Sequence, residues 1–307
     1  MPVVFIPYKK IDKKKWDTCI ENSLNSLLYA RSFYLDKMAV NWDGLVLDDY
    51  EAVMPLTWKK KLQISYLYQP AFIQQGGVFS EKKITPEILR SFVDVTQQHF
   101  DFAEITFNYA NPCSDFHKKA RVSLRTNYIV ELDKTYEELY ENYDPSFTKS
   151  LRRLKKLQLQ YEHSHDFTSI IQLYSNLYSK RLPYFTKVDF SNFEKICVEL
   201  SASEKVITRL AYDQENELLA AAVLLNDGKR LYNIISCITP AGKKREANYF
   251  LYDKIICEFA GTGLILDMEG SDVKGIADFY MKLNPQVQPY PFVRYNELHP
   301  FIKLFKP

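Results

Sequence analysis

The sequence predicts an α/β (α+β) fold made of two tandem copies of one unit, each with a mixed, mostly antiparallel sheet flanked by helices. The chain has 307 residues, which suits two domains of about 150 residues each. In each half, the spacing of apolar residues predicts a helical opening, three strands, a loop, a helix and a strand. We therefore expect a domain boundary near Arg125, with domains at residues 1–125 and 126–307.

The first half starts with a helical pattern over 12–31 and has a second helix that opens at Pro86, where a first-turn proline fits. Gly76 and Gly77 lie in the loop before that helix, with no cation beside them. We therefore expect no phosphate site here and interpret this half as an acceptor-binding or structural copy. Its predicted strands are Gly44–Leu47, Ala52–Trp58, Ile64–Tyr68 and Ala103–Phe107.

The second half repeats this order. Asp144 and Pro145 match an N-cap followed by a first-turn proline, and they open a basic helix. The segments Gln214–Asn216 and 227–228 have the chemistry of hairpin turns, and a loop at Ile238–Gly242 leads into another helix. The predicted strands are Ile129–Leu132, Lys205–Tyr212, Leu218–Leu225, Arg230–Cys237, Leu264–Met268 and Val287–Tyr295.

Composition excludes several classes of protein. The net charge of +2, from 40 basic and 38 acidic residues, means that any basic patch must be local. The five cysteines form no C-x-x-C pair, and His163 and His165 lack further ligands at suitable spacing, which argues against disulfide and metal sites. The apolar stretch at the start is too short for a signal peptide and no run of 18 apolar residues occurs, so we expect neither a signal peptide nor a transmembrane helix. We expect a cytoplasmic monomer or weak homodimer.

The order of elements over residues 205–295 is similar to the GNAT (acyl-CoA N-acyltransferase) fold. Two segments resemble the Fem-type (FemAB-like) branch, in which two GNAT units follow each other: the basic helix after an acidic turn at 143–156, and the run from Ala247 to Tyr280 that includes Asp267, Gly270 and Ser271. The branch contains peptidyltransferases that act on peptidoglycan precursors. The stretch Thr239–Ala247 departs from the GNAT pyrophosphate motif because it has a single glycine, and the chain lacks a coiled-coil arm.

This resemblance implies a transferase that moves an acyl or aminoacyl group to an amine acceptor. The donor would contain phosphate, as acyl-CoA and aminoacyl-tRNA do, and no cofactor would be tightly bound. The implied partners are a small-molecule or peptide acceptor, such as a cell-wall precursor, and tRNA. The alternative is a non-catalytic ligand-binding protein that keeps a degenerate GNAT fold.

A cluster of cations precedes the helix that follows Ile238–Gly242. Backbone amides at a helix start attract anions, and neighbouring cations add charge-assisted hydrogen bonds. We therefore predict a donor phosphate site, although a solvated basic loop would have the same sequence. Its residues are Gly242, Lys243, Lys244, Arg245 and Asn248.

The basic helix at 146–159 carries five cations within eight residues, which suits RNA or an anionic precursor but also a solvated surface. From this helix the resemblance selects Arg152 as an acceptor-binding residue. Tyr184 and Phe185, in a loop between helices, either cover the acceptor or pack against neighbouring residues. Ser271 either contacts the acceptor or caps the next helix.

Asp267 follows a predicted buried strand, where a carboxylate is able to take up the proton released from the amine. This makes Asp267 the candidate catalytic residue. The position suits a second role equally well, in which the carboxylate orients backbone amides of the next loop.

Overall fold

The computed structural model describes residues 2–61, 63–112, 120–270 and 273–299. These residues form two compact units: unit 1 contains the described residues of Met1–Arg125 and Pro289–Pro307, and unit 2 spans Thr126–Gln288. The predicted α/β class, with mixed and mostly antiparallel sheets flanked by helices, is confirmed. The last strand of the chain, predicted as part of the second domain, contributes its final residues to unit 1.

The sheet of unit 1 has the strand order β1-β2-β3-β4-β6-β13, with β5 beside β3. Neighbouring strands are antiparallel except β4 and β6, which are parallel. The strands are β1 (Val3–Ile6), β2 (Asn41–Leu47), β3 (Ala52–Lys61), β4 (Ile64–Tyr68), β5 (Phe79–Ser80), β6 (Phe102–Thr106) and the end of β13 (Gln286–Asn296). The helices are α1 (Lys13–Asn22), α2 (Ser32–Met38) and α3 (Pro86–His99), with 3-10 turns at Tyr8–Lys10 and Leu28–Ala30.

Two features of unit 1 show how local sequence sets its elements. The Thr85 hydroxyl accepts a hydrogen bond from the amide of Ile88 (3.4 Å), and Pro86 takes the first turn of α3, as predicted. The first helix is shorter than the predicted span of 12–31, because the chain leaves it to contact β5. There the Leu24 amide donates to Ser80 O at 3.0 Å.

The sheet of unit 2 has the strand order β7-β12-β11-β10-β9-β8, and only β11 and β12 are parallel neighbours. The strands are β7 (Arg121–Glu131, which begins in unit 1), β8 (Gln160–Ser164), β9 (Val206–Tyr212), β10 (Leu218–Asn226), β11 (Arg230–Ile238) and β12 (Ile265–Asp267). The helices are α4 (Tyr136–Glu141), α5 (Pro145–Leu154), α6 (Phe167–Tyr178), α7 (Lys187–Ser201), α8 (Pro240–Lys244), α9 (Ala247–Phe259) and α10 (Lys274–Met281), with 3-10 turns at Lys155–Leu157 and Ser179–Arg181.

The core of unit 2 lies between its sheet and helices α5, α9 and α10. The apolar stripe of α5, with Phe147, Leu151 and Leu154, is buried in this core. The carboxylate of Asp144 accepts a hydrogen bond from the amide of Ser146 at 2.8 Å and so caps α5 as predicted. Among the described residues, no helix is both long enough and apolar enough to cross a membrane.

Candidate functional site

Strands β11 and β12 of unit 2 run together and then separate. Their parallel pairing ends at Tyr232↔Asp267, where β12 stops, whereas β11 continues to Ile238. Glu269 and Gly270 follow β12 with φ angles of 60°. Crevices at the carboxyl ends of parallel strands are common ligand sites in α/β proteins. We therefore take this separation as the candidate site.

A buried amide lies where the two strands separate. Asn233, the first residue of β11 beyond the last pair, is 3% exposed, and neither its Nδ2 nor its Oδ1 has a hydrogen-bond partner among the described residues. The Oη of Tyr252, on α9, is also buried and without a partner there. Burial raises the pKa of Tyr252 and Tyr280. Buried polar groups without partners are destabilising and rare, so these atoms suit a ligand that completes their hydrogen bonds.

A tyrosine covers the far end of β11. The backbone amide of Ile238 donates to Tyr178 Oη at 3.3 Å, and Tyr178 is the last residue of α6. The ring of Tyr174 lies against it, with 5.0 Å between centroids, and burial raises the pKa of Tyr174 to about 12. Helix α6 therefore closes the end of the strand beyond residue 237.

Asp267, the predicted proton acceptor, is fully buried and makes hydrogen bonds through both oxygens. Its Oδ2 accepts from Arg230 Nη1 at 2.6 Å in an ion pair whose side chains are 0% and 5% exposed. Its Oδ1 accepts from Asn127 Nδ2 at 2.8 Å and from the amide of Glu269 at 3.0 Å. The contact with Glu269 favours the second predicted role, in which Asp267 orients the backbone of the following turn.

The predicted phosphate loop is a short helix, α8, rather than an open loop. The amide of Gly242 donates to the Thr239 hydroxyl at 3.0 Å, which caps this helix. A Cβ on Gly242 would lie 2.0 Å from Leu219 O on β10, so glycine is needed for the close packing of α8 on the sheet. Gly242 therefore has a packing role, and its amide is engaged within the chain.

The cations after Gly242 differ in their surroundings. Lys243 and Lys244 are exposed and have no ion-pair partner among the described residues. Arg245 is paired with Asp213, whose pKa is lowered by the Glu217 backbone amide and by Arg245. An open depression of about 480 Å³ lies here, lined by Glu217, Leu218, Thr239, Pro240, Ala241, Lys244 and Arg245. Of the predicted cations, the two lysines are therefore the ones available to an anion, and Asn248 lies in the first turn of α9 nearby.

An ion pair joins the basic helix α5 to the residue that follows the cations at 243–245. Arg153 on α5 is paired with Glu246, the residue that precedes α9. Arg152, the predicted acceptor contact, is exposed and has no ion-pair partner among the residues that the structure describes. The cations of α5 and the lysines of α8 therefore lie on neighbouring parts of unit 2.

The remaining predicted acceptor residues do not come together. Tyr184 is 92% exposed, whereas Phe185 packs against Phe190 of α7 with 6.0 Å between ring centroids. Ser271 lies outside the described residues. Within the described part of the chain, no group of three or more His, Cys, Asp or Glu side chains is placed to hold a metal ion.

Unit 1 has the corresponding separation between β4 and β6, but its own side chains bridge it. Pairing ends at Tyr68↔Glu104, and Gln69 Oε1 then accepts from the Thr106 amide at 3.0 Å. The Thr106 hydroxyl donates to Gln74 O at 2.8 Å. The cavity beside these residues measures only about 20 Å³.

Sequence reasoning missed Asn233, Tyr252, Tyr178 and Arg230. An asparagine in the middle of the mostly apolar β11 was a usable signal, since polar residues in buried strands need an explanation. The other three gave none, because tyrosines are frequent throughout the chain and the partners of Arg230 and Tyr178 are distant in sequence.

Comparison with known proteins fits this geometry. Residues 146–272, from α5 past the end of β12, match the family described as the acetyltransferase (GNAT) domain. A crystal structure of FemX superposes with a TM-score of 0.68 at 13% identity, covering 97% of this chain and 99% of that one. The chain has the Fem-type tandem GNAT fold. The predicted resemblance and fold are thereby confirmed.

Two further structures have the same fold. L-PGS from Bacillus licheniformis has a TM-score of 0.55 at 12% identity, covering 96% of this chain and 95% of that one. A tandem GNAT protein from the clavulanic acid biosynthesis pathway has a TM-score of 0.54 at 8% identity, covering 95% and 97%. No curated protein matches the chain by sequence.

Proposed function

We propose that this protein is a transferase that moves an acyl or aminoacyl group from acyl-CoA or aminoacyl-tRNA to an amine acceptor, with its active site where β11 and β12 separate in unit 2. The observation that carries the proposal is the unpaired edge of β11 with the partnerless Asn233 and Tyr252, inside the segment that matches the GNAT domain. An extended donor chain laid along this edge would use the backbone groups of β11 as a strand does.

The chemistry asks little of the protein beyond placement. The amine nitrogen attacks the donor carbonyl, a C–N bond forms, and the C–S bond of a thioester or the C–O bond of an ester breaks. The amine loses a proton and the leaving sulfur or oxygen gains one. Because holding the two substrates together supplies much of the acceleration, this reaction needs no dedicated base, and we assign Asp267 to positioning.

The exposed cations would hold the phosphates of the donor. Lys243 and Lys244 carry charge that no acidic side chain of the described residues neutralises, and Arg152 on α5 is similarly available. Arg245 is less suited, because Asp213 already holds it. The acceptor we propose is a cell-wall peptide precursor in the cytoplasm, in keeping with the resemblance to Fem-type proteins.

The proposal is tested by thermal-shift measurements with acetyl-CoA, longer acyl-CoAs, aminoacyl-tRNA and a muropeptide precursor. At least one donor should raise the melting temperature. The pair Lys243→Ala/Lys244→Ala should reduce that rise but leave the melting temperature without donor unchanged. The matched control Lys9→Ala/Lys10→Ala, at two exposed lysines of unit 1, should leave the rise intact. If no donor shifts the melting temperature, the proposal is wrong.

The second candidate, a ligand-binding protein without catalysis, is favoured by one observation. The amide of Gly242 and the guanidinium of Arg245 are both engaged within the chain, in the segment where a pyrophosphate site was predicted. A donor that binds but is never consumed in the presence of amine acceptors would favour this reading. Transfer of a radiolabelled acyl group to an acceptor would exclude it.

A further inference from the structure

The loop between α6 and α7 presents apolar side chains to solvent. We call residues 180–188, which end with the first two residues of α7, the Tyr184 loop. Tyr184 is 92% exposed and Val188 is 65% exposed, and Pro183 between the helices is exposed as well. Single exposed apolar residues are ordinary at protein surfaces. Here, however, they stand close together on one short loop.

The tip of the Tyr184 loop is held in place by its neighbours. The amide of Phe185 donates to Leu182 O at 3.0 Å, and the Phe185 ring packs on Phe190. Thr186 and Asp189 form a capping box at the start of α7, which fixes the chain directly after the tip. The inward Phe185 and the cap therefore leave Tyr184 pointing away from unit 2.

The charge of the Tyr184 loop is entirely positive. Lys180, Arg181 and Lys187 are exposed, and residues 180–188 include no carboxylate. The first carboxylate that follows, Asp189, accepts hydrogen bonds from the Thr186 amide and hydroxyl, both at 2.7 Å. Neither lysine has an ion-pair partner among the described residues. The protein as a whole is almost neutral, so this positive charge is local.

An exposed aromatic ring with aliphatic neighbours and flanking cations suits the surface of an anionic bilayer. Tyrosine rings favour the headgroup region, and lysine or arginine residues close to the surface are attracted by anionic lipids. We propose that the Tyr184 loop docks the protein on an anionic phospholipid bilayer. Tyr184 and Val188 enter the headgroup region, and the cations contact the lipid phosphates. Val188 favours lipid over RNA, because its aliphatic side chain offers a base no flat stacking surface.

The loop also lies next to the candidate site. Tyr178, two residues before the loop, accepts the hydrogen bond from Ile238 at the end of β11, and the guanidinium of Arg181 lies 5.9 Å from its ring centroid. A bilayer bound at Tyr184 is therefore brought to the side of unit 2 where β11 ends. This surface is independent of the proposed transfer reaction.

Co-sedimentation of the full chain with vesicles tests the proposal. The protein should pellet with vesicles of phosphatidylcholine and phosphatidylglycerol, less so at high salt, and stay in solution with phosphatidylcholine alone. Tyr184→Ser and the triple variant Lys180→Glu/Arg181→Glu/Lys187→Glu should each lower the bound fraction roughly tenfold. A Tyr184→Trp variant should show a blue shift in its fluorescence on the mixed vesicles, which a purely structural role for Tyr184 would not produce.

Matched controls come from unit 1. Leu24→Ser removes another exposed apolar side chain, 71% exposed, and Lys9→Glu/Lys10→Glu/Lys14→Glu reverses three exposed cations. Both should bind the mixed vesicles as the wild type does. The proposal is overturned if the wild type stays in solution with the mixed vesicles, or if the controls lose as much binding as the loop variants. Loss of RNA binding in Tyr184→Ser with unchanged vesicle binding would also overturn it and would assign the loop to RNA.

Discussion

The two units share one strand pattern and differ at the point where their parallel strands separate. In unit 1, Gln69 Oε1, directly after β4, accepts from the amide of Thr106 on β6 at 3.0 Å, and the Thr106 hydroxyl donates to Gln74 O at 2.8 Å. In unit 2, the corresponding separation of β11 and β12 contains Asn233 and Tyr252 with polar atoms that have no partner among the described residues. One copy of the fold is thus closed on itself and the other is not.

The two units differ in how completely buried polar groups are hydrogen-bonded where the parallel strands separate. Next to this point of unit 1, the side-chain amides of Asn25, Asn108 and Asn111 all donate to Val78 O. Proteins keep buried polar groups without hydrogen bonds mainly at functional sites, because elsewhere such groups lower stability without a functional benefit. The contrast therefore concentrates the proposed chemistry in unit 2.

The largest expected effect concerns the ion pair beneath the unit 2 site. Asp267→Leu leaves Arg230 buried without its carboxylate, so we expect the free energy of unfolding to fall by about 3–5 kcal/mol, measured by urea denaturation. The double variant Asp267→Leu/Arg230→Met should recover most of this loss. The control Glu104→Leu, in a half-exposed pair with Arg294 of unit 1, should cost about 1 kcal/mol or less.

The same residue separates the two roles predicted for it. Asp267→Asn removes the charge but retains the shape of the side chain. If Asp267 has the positioning role, the variant should lose stability along with any loss of transfer activity. Wild-type stability combined with complete loss of transfer would contradict this and restore Asp267 as the proton acceptor.

Much of the fold was predictable because its signals are local. Apolar runs separated by hairpin-turn residues predicted β9, β10 and β11 within one residue of their observed ends, and Asp144 with Pro145 predicted the start of α5. Short-range capping and periodicity decide such elements, and the structure confirms them. Helix α8 was predicted as a loop although Thr239 and Pro240 carry a start signal, because its five residues are too few for any periodicity.

The candidate site was less predictable because its contacts are distant in sequence. The partner of Arg230 is 37 residues away and that of Arg153 is 93 residues away, and one sequence has no local pattern for either. The predicted cations were identified from their position before a predicted helix, but only the fold reveals that Asp213 neutralises Arg245 whereas Lys243 is left available. Asn233 could have been identified from the sequence as a polar residue in a predicted buried strand. Its lack of hydrogen-bond partners among the described residues is visible only in the structure.

A pair of substitutions tests the comparison directly. Gln69→Leu leaves the Thr106 amide without its acceptor, and we expect a loss of about 1–3 kcal/mol in the free energy of unfolding. Asn233→Leu replaces a partnerless amide with an apolar side chain of similar size, so we expect no loss or a gain of up to about 1 kcal/mol. Thermal and urea unfolding of both variants give the measurement.

For donor binding, we expect the larger effect from Asn233→Leu and the smaller effect from Gln69→Leu. Asn233→Leu should abolish the donor-induced rise in melting temperature, whereas Gln69→Leu should retain it at a lower starting temperature. A marked loss of stability in Asn233→Leu would mean that the amide is satisfied in the folded protein, and the contrast between the units would fail.

The smallest expected effect is a pH-dependent change in the stability of unit 2. It comes from the ion pair of Arg245 with Asp213 beside α8, whereas Gln69 and Thr106 of unit 1 are neutral and give no such pH dependence. The Glu217 amide and the Arg245 guanidinium hold the pKa of Asp213 below its unfolded value of about 3.9. A carboxyl group whose pKa is lowered by folding stabilises the protein at pH values above its unfolded pKa, and this stability is lost as the pH falls through its folded pKa.

In Arg245→Ala one of the two causes of the lowered pKa of Asp213 is gone. The melting temperature of this variant should therefore lie below that of the wild type at neutral pH, and the difference should shrink below about pH 4. The neighbouring Lys244→Ala, which breaks no ion pair among the described residues, should show no such pH-dependent difference. A difference for Arg245→Ala that persists unchanged into strong acid would mean that its side chain stabilises unit 2 by packing and not through the charge of Asp213.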